Sequence, residues 1–249
     1  METTRKQLSP AEIAEIENDA NDDPALVLQN GTAIHLSPAS LRKTVLTTPC
    51  AALAYAAEYL PSELLSEIAT IEPRAALKYA ARILSSESLA AAAKAEPIAA
   101  LALAAKHLSN QSLIEAARAN PAAAIEFAGE YLKPDFFKEH VQKYASAMLQ
   151  HAANYLKVVS PATLSVAAKL RPRVALQYAA QYLDAQSITN AALEKPITAL
   201  AYAADYLSAQ SLEDAVRAEP AAAIQHLSVM LLTKAKQGQI GSKTPQMSM

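Results

Sequence analysis

Tyrosines recur in pairs four residues apart, each pair enclosing two alanines: YAAEY at 55–59, YAAQY at 178–182 and YAADY at 202–206. A phenol ring offers a flat apolar face for packing or stacking and a hydroxyl that donates or accepts a hydrogen bond, which is the chemistry of binding rather than of bond making. Groups that could make bonds are few and isolated. Cys50 is the only cysteine; a helix dipole at its position would favour the thiolate, but neither histidine nor acid lies beside it in sequence, so it reads as a structural thiol. His107, His151 and His226 sit where tyrosine stands in other copies of the pattern described below. There is no metal-ligand spacing, phosphate-cradling glycine loop, paired-carboxylate motif or nucleophile elbow. No catalytic residue, metal or cofactor is therefore expected, and an enzyme is not the reading.

The elements that carry the tyrosines repeat. Prolines fall at 49, 73, 97 and 121 and again at 172, 196 and 220, each 24 residues from its neighbour apart from one long gap. MLQHAANYL (148–156) aligns with the tyrosine core and places Ala145 where proline should be; the loop after it, KVVSPATL, is three residues longer than its counterparts and restores the register at Pro172. LSPASLRKTVLTTP (36–49) holds the second half of one more unit, and LSPAEIAEIEN (8–18) does so more distantly.

With proline as position 0, leucine or isoleucine falls at +4 and leucine at +11, and alanine mostly at +7 and +8, one stripe of a first helix whose N1 residue is proline. Thr48 and Asn120 stand just before proline as good caps. Serine at +12 (Ser85, Ser109, Ser208) caps a second helix, and Ser9-Pro10, Ser37-Pro38 and Ser160-Pro161 share that register. The second helix buries +16, +19 and +20, as Leu212, Ala215 and Val216, and carries a base at +21: Lys94, Arg118, Lys169 and Arg217, where a cation suits the helix dipole. Helices of about ten alanine-rich residues are too short to persist alone, so the units must stack. The expected fold is all-α, a right-handed or gently curved α-solenoid of about eight 24-residue helical hairpins. Residues 1–24 are read as an acidic segment with one helix, residues 37–235 as the solenoid, and residues 1–7 and 236–249 as disordered. ALVLQNGTAIHL (25–36) has two β-prone runs around Asn30-Gly31, the pattern of a small β-hairpin cap, with a broken helix as the alternative.

Ten of the 13 aromatics occupy columns +6 (Tyr55, Tyr79, Phe127, Tyr178, Tyr202) and +10 (Tyr59, Tyr131, Tyr155, Tyr182, Tyr206). They either pack between repeats or line a binding groove. The neighbouring +9 positions vary in charge, as Arg82, Lys106, Glu130 and Asp205 do. KPDFFKEHVQKYASAMLQ (133–150) breaks the pattern with Phe136 and Phe137, so it is either a repacked repeat or a specialised surface.

Lys and Arg total 22 against 24 Asp and Glu, a net charge of −2 that is too even for affinity built on phosphate neutralisation. No segment has the roughly 18 uninterrupted apolar residues of a membrane span, and the N-terminus has no apolar run of signal-peptide type. A single cysteine is compatible with a reducing compartment. The expected location is the cytoplasm, its own or that of a host into which it is delivered.

The proline-initiated 24-residue unit resembles the short-helix solenoids, and its A-L-x-Y-A-A-x-Y-L core looks like helical repeats of uncharacterised bacterial and phage proteins, over about residues 37–233. The unit length is similar to that of the leucine-rich variant repeat, from which the longer second helix departs; tetratricopeptide, HEAT and armadillo units are longer still. The resemblance implies a non-enzymatic scaffold that binds a protein partner, as an effector or inhibitor, through an extended first-helix surface. Its candidate contacts are Tyr55, Tyr59, Tyr79, Arg82, Lys106, Tyr131, Phe136, Phe137, Tyr155, Tyr178, Tyr182, Tyr202 and Tyr206. Nucleic acid stacked on tyrosine, disfavoured by the charge, and end-to-end self-assembly are the alternatives. Oligomeric state is left open.

Overall fold

Proline sets the phase of the backbone. Its ring excludes the α conformation from the residue before it. That residue is accordingly bent in every proline-led unit: φ/ψ is −125°/67° at Glu72, −129°/67° at Glu96, −133°/64° at Lys195 and −137°/68° at Glu219. The bent residue still satisfies both of its backbone groups. The Glu72 N–H closes the preceding helix on the Ile68 carbonyl (2.8 Å), and its own carbonyl accepts from the Ala76 N–H of the next (2.9 Å). Across Glu96 the two helical segments Ser86–Ala95 and Pro97–His107 turn by 118°.

The computed structural model describes residues 8–226, in two units divided after Tyr131. The N-terminal unit contains α1 (Pro10–Asp22), α2 (Pro24–Gln29), α3 (Pro38–Thr47), α4 (Ser62–Ile71), α5 (Ser86–Ala95), α6 (Asn110–Ala119) and α7 (Pro121–Phe127). Between them run proline-led segments centred on Ala52–Ala56, Ala76–Ala80 and Ala100–Ala104. The C-terminal unit contains α8 (Pro134–Gln150), α9 (Pro161–Leu170), α10 (Ala185–Glu194) and α11 (Ala209–Ala218), with corresponding segments Ala175–Ala179 and Ala199–Ala203. The fold is all-α, with no strand among the described residues. The expectations for residues 1–7 and for the tail from Lys236 lie outside those residues.

Within each unit like packs on like. In the N-terminal unit α3 lies on α4, α4 on α5 and α5 on α6, while Ala76–Ala80 touches both Ala52–Ala56 and Ala100–Ala104. In the C-terminal unit α8, α9, α10 and α11 follow one another, and Ala175–Ala179 lies against Ala199–Ala203. The core is divided accordingly: one cluster runs from Leu77 to Ala104 and another from Leu176 to Ala203, each drawn from consecutive repeats. Leucine at +4 and alanine at +3 are fully enclosed, as in Ala76 and Leu77 at 0% exposure.

The first helix departs from the regular helix that the pattern suggests. In five repeats a single α turn after proline gives way to a π-helical stretch over +3 to +7, and in four of these it is followed by a 3₁₀ turn ending at +10, as at Ala57–Tyr59 and Ala204–Tyr206. The core pattern has a period of four: alanine at +3 and +7, then leucine and alanine at +4 and +8. Four residues of an α-helix overshoot one turn by about 40°. The wider i→i+5 turn removes much of that drift, so both pairs face the neighbouring repeat.

Serine caps the second helices as its register requires. Ser85, Ser109 and Ser208 each accept from the N–H three residues on at 3.1 Å, and Asp184 takes the same role at 2.7 Å. At the first-helix entry Asn120 caps Ala123, but the Thr48 hydroxyl turns back to the Thr44 carbonyl and caps nothing. Residues 25–36 do not form a hairpin. They are the end of α2 and a 3₁₀ turn, Thr32–His35, joined through Gly31 at φ +73°. The positive φ that an Asn-Gly pair supplies is spent between two helical turns, because Pro24 has already started a helix capped by Asp23 on Leu26.

The long gap holds a repeat without its proline. Inside α8 the backbone leaves helical geometry at Tyr144, φ −116° and ψ 23°, directly before Ala145. The bend persists at the junction although no proline ring enforces it.

Leu77→Ala is expected to lower unfolding free energy by about 2–5 kcal/mol and Ser85→Ala by about 1 kcal/mol in urea denaturation followed by circular dichroism. Equal effects of the two would contradict the burial described.

Candidate functional site

The proline-led segments place the two aromatic columns on their outer side, because +3, +4, +7 and +8 point inward. Tyr55, Tyr59, Tyr79, Phe127 and Tyr131 are exposed in the N-terminal unit, Tyr59 the most at 61%. Tyr178, Tyr202 and Tyr206 are exposed in the C-terminal unit, and Tyr182 is half-buried. Since the segments bearing Tyr55 and Tyr79 touch, rings from successive repeats lie on adjoining elements.

Charge is interleaved with the rings. Arg82 reaches Glu58 one repeat earlier at 2.5 Å, an exposed pair at +9 that adds little stability. Lys78 Nζ stands 4.6 Å from the centre of the Tyr79 ring, a cation–π contact at the surface. A hydrogen bond to Glu130 pushes the Tyr131 phenol above its ordinary pKa. Lys106 is exposed.

Two of the candidate residues belong to the core instead. Phe137 has 0% exposure and Tyr155 1%; their rings meet at 4.7 Å between centroids, and the Tyr155 hydroxyl donates to the Met148 carbonyl. Burial pushes the Tyr155 phenol far up in pKa. Neither can touch a partner in this conformation. Phe136 is half-buried and stacks on His140 at 4.2 Å. The irregular stretch thus largely repacks a repeat whose proline is missing. Cys50 is exposed, and no group of three or more potential metal ligands occurs among the described residues.

A second feature lies on the other set of helices. Between α9 and α10 is a cleft of about 440 Å³ lined by Ser165, Val166, Lys169, Pro172, Ser187, Asn190 and Glu194, floored by Ala168 and Ala191. A smaller one of about 70 Å³ lies between α5 and α6, lined by Ala90, Lys94, Pro97, Ser112 and Glu115. The two occupy the same register: Lys169 and Lys94 are both the +21 base, and Ser187 and Ser112 both stand at +15. The sequence signal was the +21 cation, read there only as complement to the helix dipole.

Hydrogen bonds cross this second-helix layer. Ser165 donates to Asp184 at 2.7 Å, Ser88 to Ser66 at 2.8 Å, and Thr189 and Ser211 lie 2.9 Å apart, each joining consecutive repeats. Ser165 first, and then the Ser187 N–H, hold the Asp184 carboxyl below the usual carboxylate range.

Comparison with protein-family models, curated proteins and solved structures finds no match.

Tyr155→Phe is expected to cost about 1–3 kcal/mol by stranding the Met148 carbonyl, and Tyr79→Ser to stay within about 0.5 kcal/mol, in thermal unfolding. Because the folded pKa of Asp184 is depressed, its stabilisation is present above the ordinary Asp range and fades as pH falls through the folded value. The stability gap between wild type and Asp184→Ala should therefore be widest near neutral pH and shrink in acid; a gap that is constant with pH would remove the ionised cap from the account.

Proposed function

We propose that the chain is a non-enzymatic α-solenoid scaffold whose first-helix surface binds a protein partner, in the manner of an effector or inhibitor. The observation that carries this reading is the exposure of tyrosines at +6 and +10 on consecutive, touching segments. Packing between repeats, the other role open to these rings, accounts for Tyr155 and for part of Tyr182. It does not account for Tyr55, Tyr59 or Tyr79.

Exposed aromatic patches are unfavourable in water unless something covers them. Tyrosine is suited to an interface because its ring brings contact area at low entropic cost while its hydroxyl tolerates solvent in the free state. The variable charges beside the rings, Arg82, Lys106 and Glu130, would supply the discrimination that an apolar surface lacks.

The test is capture of partners from the native host with wild type and with the triple variant Tyr55→Ser, Tyr59→Ser, Tyr79→Ser, followed by cross-link mapping. The expected result is a partner lost on the triple variant at unchanged melting temperature, with cross-links on the first-helix surface. Undiminished capture by the variant, or cross-links confined to residues outside 8–226, would refute it.

A further inference from the structure

One outward column of the N-terminal unit carries an ordered set of charges. Position +9 of four consecutive repeats reads Glu58, Arg82, Lys106 and Glu130: acid, base, base, acid, all exposed. Position +5 keeps the same order where it is charged, with Lys78 in the middle and Glu126 at the end, and is alanine at 54 and 102. The four elements lie side by side, since Ala76–Ala80 touches both Ala52–Ala56 and Ala100–Ala104, and Ala100–Ala104 touches α7. The central segments, 73–83 and 97–107, contain no acid. Their remaining base, Arg74, is offset by Glu72 two residues away. Glu72 and Glu96, at the bends, stand about 9–15 Å along the axis from +5 and +9, at or beyond the Debye length of about 8 Å, so they leave the central cations largely uncancelled.

These charges are lightly committed. Arg82 and Glu58 form an exposed pair at 2.5 Å, and Glu130 bonds the Tyr131 hydroxyl. Lys78 lies over the Tyr79 ring at 4.6 Å, and Lys106 has no hydrogen-bond or ion-pair partner among the described residues. Beside them the +6 column, Tyr55, Tyr79, Leu103 and Phe127, is apolar and exposed throughout.

We propose that this face binds an extended segment of the partner protein whose charges run base, acid, acid, base. Its two carboxylates meet Arg82 and Lys106, its outer cations meet Glu58 and Glu130, and its apolar side chains lie on the +6 column. The proposal rests on the first-helix surface being the one that binds, and adds the chemistry of what it takes. Charge order selects the class of partner. A nucleic-acid strand is negative along its whole length, so phosphates favoured by the two central repeats would be opposed by Glu58 and Glu130 on either side. Spacing suits an extended peptide. Neighbouring helical elements stand about 8–10 Å apart, and a polyproline-II chain advances about 9.3 Å in each three-residue turn, so every third side chain falls over the next repeat.

The probes are two peptides of identical composition with a charge at every third residue and proline and tyrosine between, one ordered Lys, Glu, Glu, Lys and the other Glu, Lys, Lys, Glu. Each is titrated into the full chain and followed by amide NMR, with single-stranded oligothymidylate as a third probe. The first peptide is expected to shift the amides of Arg82 and Lys106 and to bind about tenfold more tightly than the second, a ratio that falls as salt is added. Both side chains are exposed, so the double variant Arg82→Glu, Lys106→Glu should melt as wild type does and prefer the second peptide. Equal affinity for the two peptides, a preference that survives the double variant, binding of neither, or tighter binding of oligothymidylate would each overturn the proposal. The tyrosine triple variant separates the two readings. Equal binding of both peptides that is lost on that variant overturns the charge order alone; charge-ordered binding that the variant leaves untouched supports the order and overturns the tyrosine surface.

Discussion

The steric conflict between a proline ring and the residue before it organises this chain. It forbids helix at one residue in each regular 24-residue unit, and the extended cap residue at +12 interrupts the helix a second time, so a sequence with high helical propensity is cut into pieces of about ten residues. The cut costs no hydrogen bonds, because the bent residue gives its N–H to the helix behind and its carbonyl to the helix ahead. Tyr144 marks the limit of that control. There the junction bends without a proline after it.

Alanine determines what the pieces can do. A ten-residue helix with two or three large apolar residues cannot assemble a core of its own, but a surface of alanines admits a neighbouring backbone at close range. Burial is consequently achieved between consecutive repeats, and the clusters around Leu77 and Leu176 each draw on their immediate neighbours. The π stretch serves the same end by turning a four-residue sequence period into a straight inward stripe. Bulk is needed where the pattern fails: with Ala145 in place of proline and three extra loop residues, Phe137 and Tyr155 fill the interior together.

Legibility followed the strength of local chemistry. Serine at +12 and proline at 0 act within one turn of themselves, and so the helix boundaries could be read from the sequence and recur in the structure. The hairpin at residues 25–36 was misread because Asn30-Gly31 signals only a positive φ, which two helical turns can use as well as two strands. Tyr155 was misassigned for the opposite reason: column membership predicts exposure only while the repeat is regular, and its repeat has an altered backbone. Phe137, by contrast, stands at +16 of the Pro121 unit, a buried second-helix position obscured by the irregular stretch around it. The second-helix cleft was not legible because its walls come from residues some 20 positions apart, each unremarkable by itself.

The outward columns take almost no part in holding the repeats together, while the inward ones are held to alanine and leucine. In the regular repeats a substitution at an exposed +5, +6, +9 or +10 position therefore changes what the surface presents and leaves its neighbours' packing intact, whereas Tyr155 at +10 of the irregular repeat is part of the core. Such a chain can change the surface it presents in single steps without disturbing its core, much as letters are exchanged in a fixed line of type.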